Sequence, residues 1–133
     1  HLYVDCKDAD PEKLLSILKK HKLDDTSVFY GKDTYLQKLR ELVTEVKIMP
    51  GLKNPEDLDA KVTSLKPYAF DVSYSLLTPE LVNAIHSHGV QVFSDLLFLN
   101  DRKSSYLKAQ KMGVDVIQTD RAKKALRVVR KMK

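Results

Sequence analysis

The sequence has no tryptophan, one cysteine and four glycines in 133 residues. A lone thiol, Cys6, cannot close an internal disulfide, so the disulfide-stapled scaffolds are excluded while the redox compartment stays open. No apolar run reaches the ~18 residues of a membrane-crossing helix, and the most apolar stretch, Val90 to Leu99, is broken by Asp95. The N-terminus lacks the basic-then-apolar pattern of a secretory signal, so the chain reads as soluble, with its compartment unknown. With so few glycines, no Gly-rich phosphate loop follows any strand, which counts against an open-sheet phosphate-binding domain of that kind. Low-complexity segments, linkers and internal repeats are absent as well.

What is there fits one globular domain over residues 1–133. The chain is 43% apolar and 31% charged, close to the globular norm and too apolar for disorder. That length can bury one real core. The net charge is 23 − 18 = +5, but acids are interleaved with the lysines, as in Glu12/Lys13 and Glu56/Asp57/Lys61. The dense basic run, Arg121 to Lys133, has no acid after Asp120 and reads as a solvated helix face with cations near its C-terminal dipole end. Nucleic acid is therefore not expected as a partner. The chain starts on His1 and enters a strand-like run within two residues, as a processed or excised piece would.

Short β-branched or aromatic runs alternate with helical patterns throughout. Strands are expected at Leu2–Lys7, Ser27–Tyr30, Glu45–Met49, Ala69–Tyr74, Val90–Asp95 and Val114–Gln118. Helices are expected after Asp10-Pro11-Glu12, Asp33, Asn54-Pro55-Glu56 and Thr78-Pro79-Glu80, each opened by a capping residue. Two more run over Arg102–Met112 and Ala122–Lys131, and Pro50-Gly51 reads as a turn ending the third strand. Six βα units of about 22 residues each result.

Strict βα alternation predicts an α/β fold with a parallel sheet and right-handed crossovers, either an open doubly wound sheet or most of a barrel. Strands buried on both faces should be continuous apolar runs. Here Asp5 and Lys7, Lys47, Asp71 and Ser73, and Gln91 and Asp95 occupy alternate positions, so each set lies on one face. In a barrel that face is the interior, and late positions lie at the C-terminal mouth where active sites are built. An acid and a lysine there can pair with each other or flank an anion.

Gly113-Val114-Asp115-Val116-Ile117-Gln118-Thr119-Asp120-Arg121 resembles the final-strand signature Gly-Val-Asp-x-Ile-x-Thr-Asp-x-Pro of the glycerophosphodiester phosphodiesterases, a TIM-barrel family. The segment Tyr74-Ser75-Leu76-Leu77-Thr78-Pro79-Glu80-Leu81-Val82, followed by His88-Gly89-Val90-Gln91-Val92, is similar to the family's approach to strand seven. Tyr3-Val4-Asp5-Cys6-Lys7 resembles its third-strand motif. The departures are Ala122 where the family has Pro, Phe93-Ser94 for a Trp-Thr pair, and Gly31 near the place of a Ser. Strands one and two, which in the family carry His-Arg-Gly, Glu-x-Asp and a second His, have no counterpart.

The resemblance implies a partial TIM (β/α)8 barrel of six parallel βα units. It implies metal-dependent hydrolysis of a glycerophosphodiester to glycerol 3-phosphate and an alcohol, with Mg²⁺ or Ca²⁺ in the complete family site. Asp5 would be a metal ligand where the family usually has Glu, Lys7 a phosphate contact, and Phe93 the cover for the apolar side of glycerol. No catalytic residue carries over. His1 is the terminus and His21 ends a helix, while His86 and His88 are two apart, the wrong spacing for one helix face and so for a metal pair. The chain alone is therefore expected to be inactive, and its metal to be absent or incomplete. The alternative is a self-associating or phosphate-binding module derived from the same fold. Six strands cannot close an eight-strand cylinder, so the edges starting at Leu2 and Val114 are expected to be covered by another copy or by an N-terminal segment.

Overall fold

A computed structural model describes residues 2–130. Expectations placed on His1 and on the end of the last helix, Lys131 to Lys133, lie outside the described residues. Six strands, β1 (Leu2–Asp5), β2 (Ser27–Gly31), β3 (Lys47–Leu52), β4 (Ala69–Val72), β5 (Gln91–Asp95) and β6 (Val116–Gln118), alternate with six helices. These are α1 (Pro11–Lys20), α2 (Asp33–Leu42), α3 (Leu58–Leu65), α4 (Pro79–Ser87), α5 (Lys103–Met112) and α6 (Ala122–Arg130). The strands pair in chain order and every neighbouring pair is parallel. The sheet curls, so that Tyr3 of β1 lines a cavity with Phe93 of β5 and Val116 of β6. The result is a curled half-barrel, the partial α/β barrel that the resemblance implies and one of the two architectures that the alternation left open.

The outer face of the sheet carries the core. Phe29, Ile48, Leu36 and Leu39 pack one cluster under α1 and α2, while Phe70, Val72, Val92, Val82 and Ile85 pack a second under α3 and α4. A third, smaller cluster joins Leu96, Tyr106, Ala109 and Ala125 beneath α5 and α6. The opposite parity faces inward: Asp5 lies level with Tyr30, Gly51 with Asp71, Asp71 with Phe93 and Asp95 with Gln118. One face of each strand therefore builds the fold, and the other is free to carry polar groups.

Local signals act largely as read. Asp10 accepts a hydrogen bond from the Lys13 amide at 2.8 Å, with Pro11 at the first helical position. Thr78 does the same for the Leu81 amide at 3.2 Å, ahead of Pro79. Gly113 ends α5 at φ 87°, and the Val114 amide reaches back to the Ala109 carbonyl at 3.1 Å. That Schellman closure uses the Val114 amide, so β6 begins at Val116 and not at Val114.

Further boundaries differ; β4 stops at Val72, so Ser73 and Tyr74 lie beyond the strand, where a 3-10 turn begins. Asp33 is the first residue of α2 and not its cap; Lys32 holds the cap position without a side-chain bond, and the Asp33 carboxylate pairs with Lys61 instead. Asn54 caps nothing: a 3-10 turn, Pro55–Asp57, precedes α3, and Asn54 Nδ2 donates to Asp57 at 3.1 Å. Pro50-Gly51 does not end β3, because its paired register passes from β2 to β4 at that point and a residue without an N–H is accommodated there. β1 stops at Asp5, with one more ladder bond from the Cys6 amide to the Tyr30 carbonyl at 3.2 Å. Lys7 therefore sits in the following loop and not on the strand face.

Candidate functional site

The C-terminal ends of β1, β2 and β3 open into a groove of about 610 Å³. Asp5, Cys6 and Lys7 form one wall, and the start of α2, from Gly31 to Thr34, forms another. Lys53, Asn54, Asp57 and Lys61 close the third side. Gly31 stands in close approach, since a Cβ there would sit 3.1 Å from the Cys6 carbonyl oxygen. A serine at that point would need the Cys6 carbonyl to give by a few tenths of an ångström.

Asp5 and Lys7 do come together, Nζ to Oδ2 at 3.8 Å. Lys7 is 77% exposed, so the pair contributes about 0–1 kcal/mol and an incoming anion can recruit the ammonium cheaply. Three further lysines ring the groove: Lys32, Lys53 and Lys61. Lys61 is engaged by Asp33, whereas Lys32 and Lys53 have no ion-pair partner among the described residues. The first-turn amides of α2 stand beside them without a side-chain cap, and uncapped helix amides favour anions. Sequence reasoning missed Lys32 and Lys53; their position just past the ends of β2 and β3 was the available signal.

Phe93 is placed elsewhere. It lines a cavity of about 340 Å³ with Tyr3, Asp71, Asp95, Val116 and Gln118. A cavity of about 390 Å³ between the two is lined by Tyr30, Gly51, Asp71 and Asp95. Tyr30 borders the groove and the middle cavity, while Asp71 and Asp95 border the middle and the Phe93 cavity. The three form one trough along the inner face, with Asp5/Lys7 at one end and Phe93 at the other.

The trough is electrostatically crowded. Burial, then the charge of Asp95, pushes the Asp71 carboxyl up to about 6. Asp95 is raised by burial and then by Asp5. Tyr3 and Tyr30 stack with ring centroids 6.1 Å apart; burial, followed by neighbouring carboxylates led by Asp71, raises both phenols. Two other polar strand residues are not at the mouth. Lys47 and Gln91 open their strands, and Lys47 donates to the Asp25 carbonyl at 2.7 Å over the Tyr68 ring.

Asp5 is a single carboxylate already facing a lysine, and among the described residues no three His, Cys, Asp or Glu side chains gather as a metal site would require. The described groups therefore do not fit a complete divalent-cation centre, which needs several oxygen ligands. His86 and His88 face different acids, Asp115 at 2.9 Å and Asp59 at 3.0 Å. Their spacing does separate them, and they hold elements together: Asp115 also accepts from the Val92 amide at 2.8 Å. His21 supplies the C-cap of α1.

No family model and no curated protein matches this chain. Solved structures do. A glycerophosphodiester phosphodiesterase from Parabacteroides distasonis superposes with a TM-score of 0.79 at 19% identity, over 99% of this chain and 58% of that one. A phosphodiesterase from Oleispira antarctica, solved with the product sn-glycerol-3-phosphate, gives 0.78 at 19% identity over 90% of this chain and 48% of that one. A glycerophosphodiester phosphodiesterase from Agrobacterium tumefaciens gives 0.75 at 15% identity over 89% and 52%. This chain thus spans about half the length of the structures it matches, and shares their fold over that half.

Proposed function

We propose that this chain forms the phosphate- and glycerol-facing part of a metal-dependent phosphodiester hydrolase, cleaving a glycerophosphodiester to glycerol 3-phosphate and an alcohol, and that alone it turns nothing over. The observation that carries this reading is the Asp5–Lys7 pair at the strand ends above a groove ringed by lysines. The fold is that of phosphodiesterases, one of which holds glycerol 3-phosphate. Lys7, with Lys32 and Lys53 beside it, would hold the phosphoryl oxygens, and the α2 amides would complete the cradle. Phe93, at the far end of the trough, would wall the apolar side of the glycerol moiety.

Hydrolysis also needs a proton acceptor for the nucleophile and a donor for the leaving alcohol. Neither His86 nor His88 lines the trough. A divalent cation, Mg²⁺ or Ca²⁺, would supply phosphoryl charge neutralisation when bound; Asp5 would be one of its ligands, and the others would come from groups beyond the described residues. The second reading, a non-catalytic phosphate-binding module, rests on the same groove without that cation.

Incubation with glycerophosphocholine and Mg²⁺ or Ca²⁺ tests the proposal. No glycerol 3-phosphate should form, while glycerol 3-phosphate itself should perturb the amide resonances of Asp33 and Thr34, and Lys7→Ala should weaken that binding by about tenfold. Release of product at an enzyme-like rate would overturn the inactivity; unperturbed amides would remove the phosphate site.

A further inference from the structure

We propose that Phe98 and Leu99, at the tip of the loop between β5 and α5, form a finger that docks the protein on the surface of an anionic phospholipid bilayer. The two side chains are 88% and 87% exposed, and the next most exposed large apolar residue described, Leu126, is at 52%. A scattered exposed leucine needs no explanation, but two adjacent, almost fully exposed apolar side chains on a loop do. The loop's own packing is done by Leu96, which is buried, so Phe98 and Leu99 contribute nothing to the core.

The backbone is built to hold them out. Phe98 has φ 51°, the left-handed region that a bulky residue rarely occupies. Behind it, Asp101 is buried and accepts hydrogen bonds from Tyr106 and, at 2.6 Å, from Thr119 of the β6–α6 loop. Thr119 in turn accepts from the Arg121 amide at 3.0 Å. Those bonds lower the Asp101 pKa, keeping it an acceptor, and clamp the two loops together at the base of the finger.

Charge selects the occupant. Arg102 and Lys103 follow the finger after two intervening residues, and the clamped β6–α6 loop brings exposed Arg121, with exposed Lys123 and Lys124 in the first turn of α6. Against these five stand two exposed carboxylates on the same loops and strand ends, Asp95 and Asp120, since Asp101 is turned inward. An aromatic and an aliphatic tip beside Lys and Arg matches the lipid interface: the ring at headgroup level, the leucine at the acyl boundary and the cations on anionic headgroups. Neither side chain lines the groove or either cavity of the trough, where a bound peptide could be enclosed. Asp95 of the trough ends the same strand, so docking would hold the trough's mouth at the lipid surface.

The chain has no tryptophan, which makes Phe98→Trp a reporter of this position alone. With phosphatidylcholine vesicles containing about 30% phosphatidylglycerol, its emission should shift to the blue and be quenched by brominated lipid. The wild-type chain should co-sediment with those vesicles and not with pure phosphatidylcholine. F98S/L99S should bind about tenfold more weakly, as should R102E/K103E, and about 0.5 M salt should release the protein. Circular dichroism of each variant checks that it is folded, which the exposure of all four side chains favours. Wild-type protein remaining in the supernatant, or F98S/L99S binding as well as wild type, would overturn the proposal. So would a blue shift that follows protein concentration without lipid, because the finger would then be meeting a second copy.

Discussion

At the scale of single residues, the trough shows how a sheet that satisfies its core on one face can hold unfavourable groups on the other. Asp71 titrates near 6 because it is largely buried and faces Asp95. Its folded-state pKa lies above the unfolded value, so the folded chain binds the proton more tightly, and stability falls as pH rises from about 4 through 6. The ionised carboxylate therefore costs stability at neutral pH. Discounted for residual solvent access, the cost is about 1–2 kcal/mol. Urea unfolding should find Asp71→Asn more stable than wild type by that amount at pH 7, with the difference shrinking towards zero by pH 4. A difference independent of pH would show that the charge is solvated. The retention of such a cost at the centre of the trough is consistent with a role in the site.

At the scale of elements, two caps and one apparent cap separate motif from mechanism. Asp10 and Thr78 each satisfy a first-turn amide, so Asp10→Ala and Thr78→Ala should each cost about 1 kcal/mol, read as a lower urea midpoint at unchanged slope. Asp33 has the same sequence appearance, but its carboxylate meets Lys61 across the groove. Asp33→Ala should cost about 0–1 kcal/mol and free Lys61 to face an anion. If Asp33→Ala proves as costly as Thr78→Ala, its pairing has been underrated. Proline followed by Glu after a capping residue marks α1 and α4 correctly because all three signals coincide; α2 lacks the proline. Asn54-Pro55-Glu56 has the full pattern and still opens with a 3-10 turn, since Asn54 spends its side chain on Asp57.

At the scale of the whole molecule, the open edges dominate. β1 and β6 each have one paired neighbour, and Leu2, Tyr3 and Val116 on them are partly exposed. Unpaired edge amides beside apolar side chains are a template for further pairing. We expect these edges to be covered, by a second copy or by further βα units in a longer polypeptide. Light scattering across a concentration series should report a mass above the 15.2 kDa of one chain. A monomer at every concentration, with amide hydrogens of β1 and β6 exchanging at once, would contradict it. Fusing two more βα units ahead of Leu2 should restore the monomer. Among the described residues no helix is long and apolar enough to cross a membrane.

The order of elements, the parallel sheet and the shared strand face of Asp5, Asp71 and Asp95 were legible from the sequence, because period-two alternation and local capping depend on neighbours along the chain. What the sequence left undecided was everything set by contacts between distant segments. Lys7 left the strand, Lys61 crossed to Asp33, and Lys32 and Lys53 joined one groove only once β1, β2 and β3 lay side by side. Asp115 and Thr119 read as motif residues, yet their partners, His86, Val92 and Asp101, are 18 to 29 residues away. Such partners are chosen by curvature and packing, which no local pattern encodes.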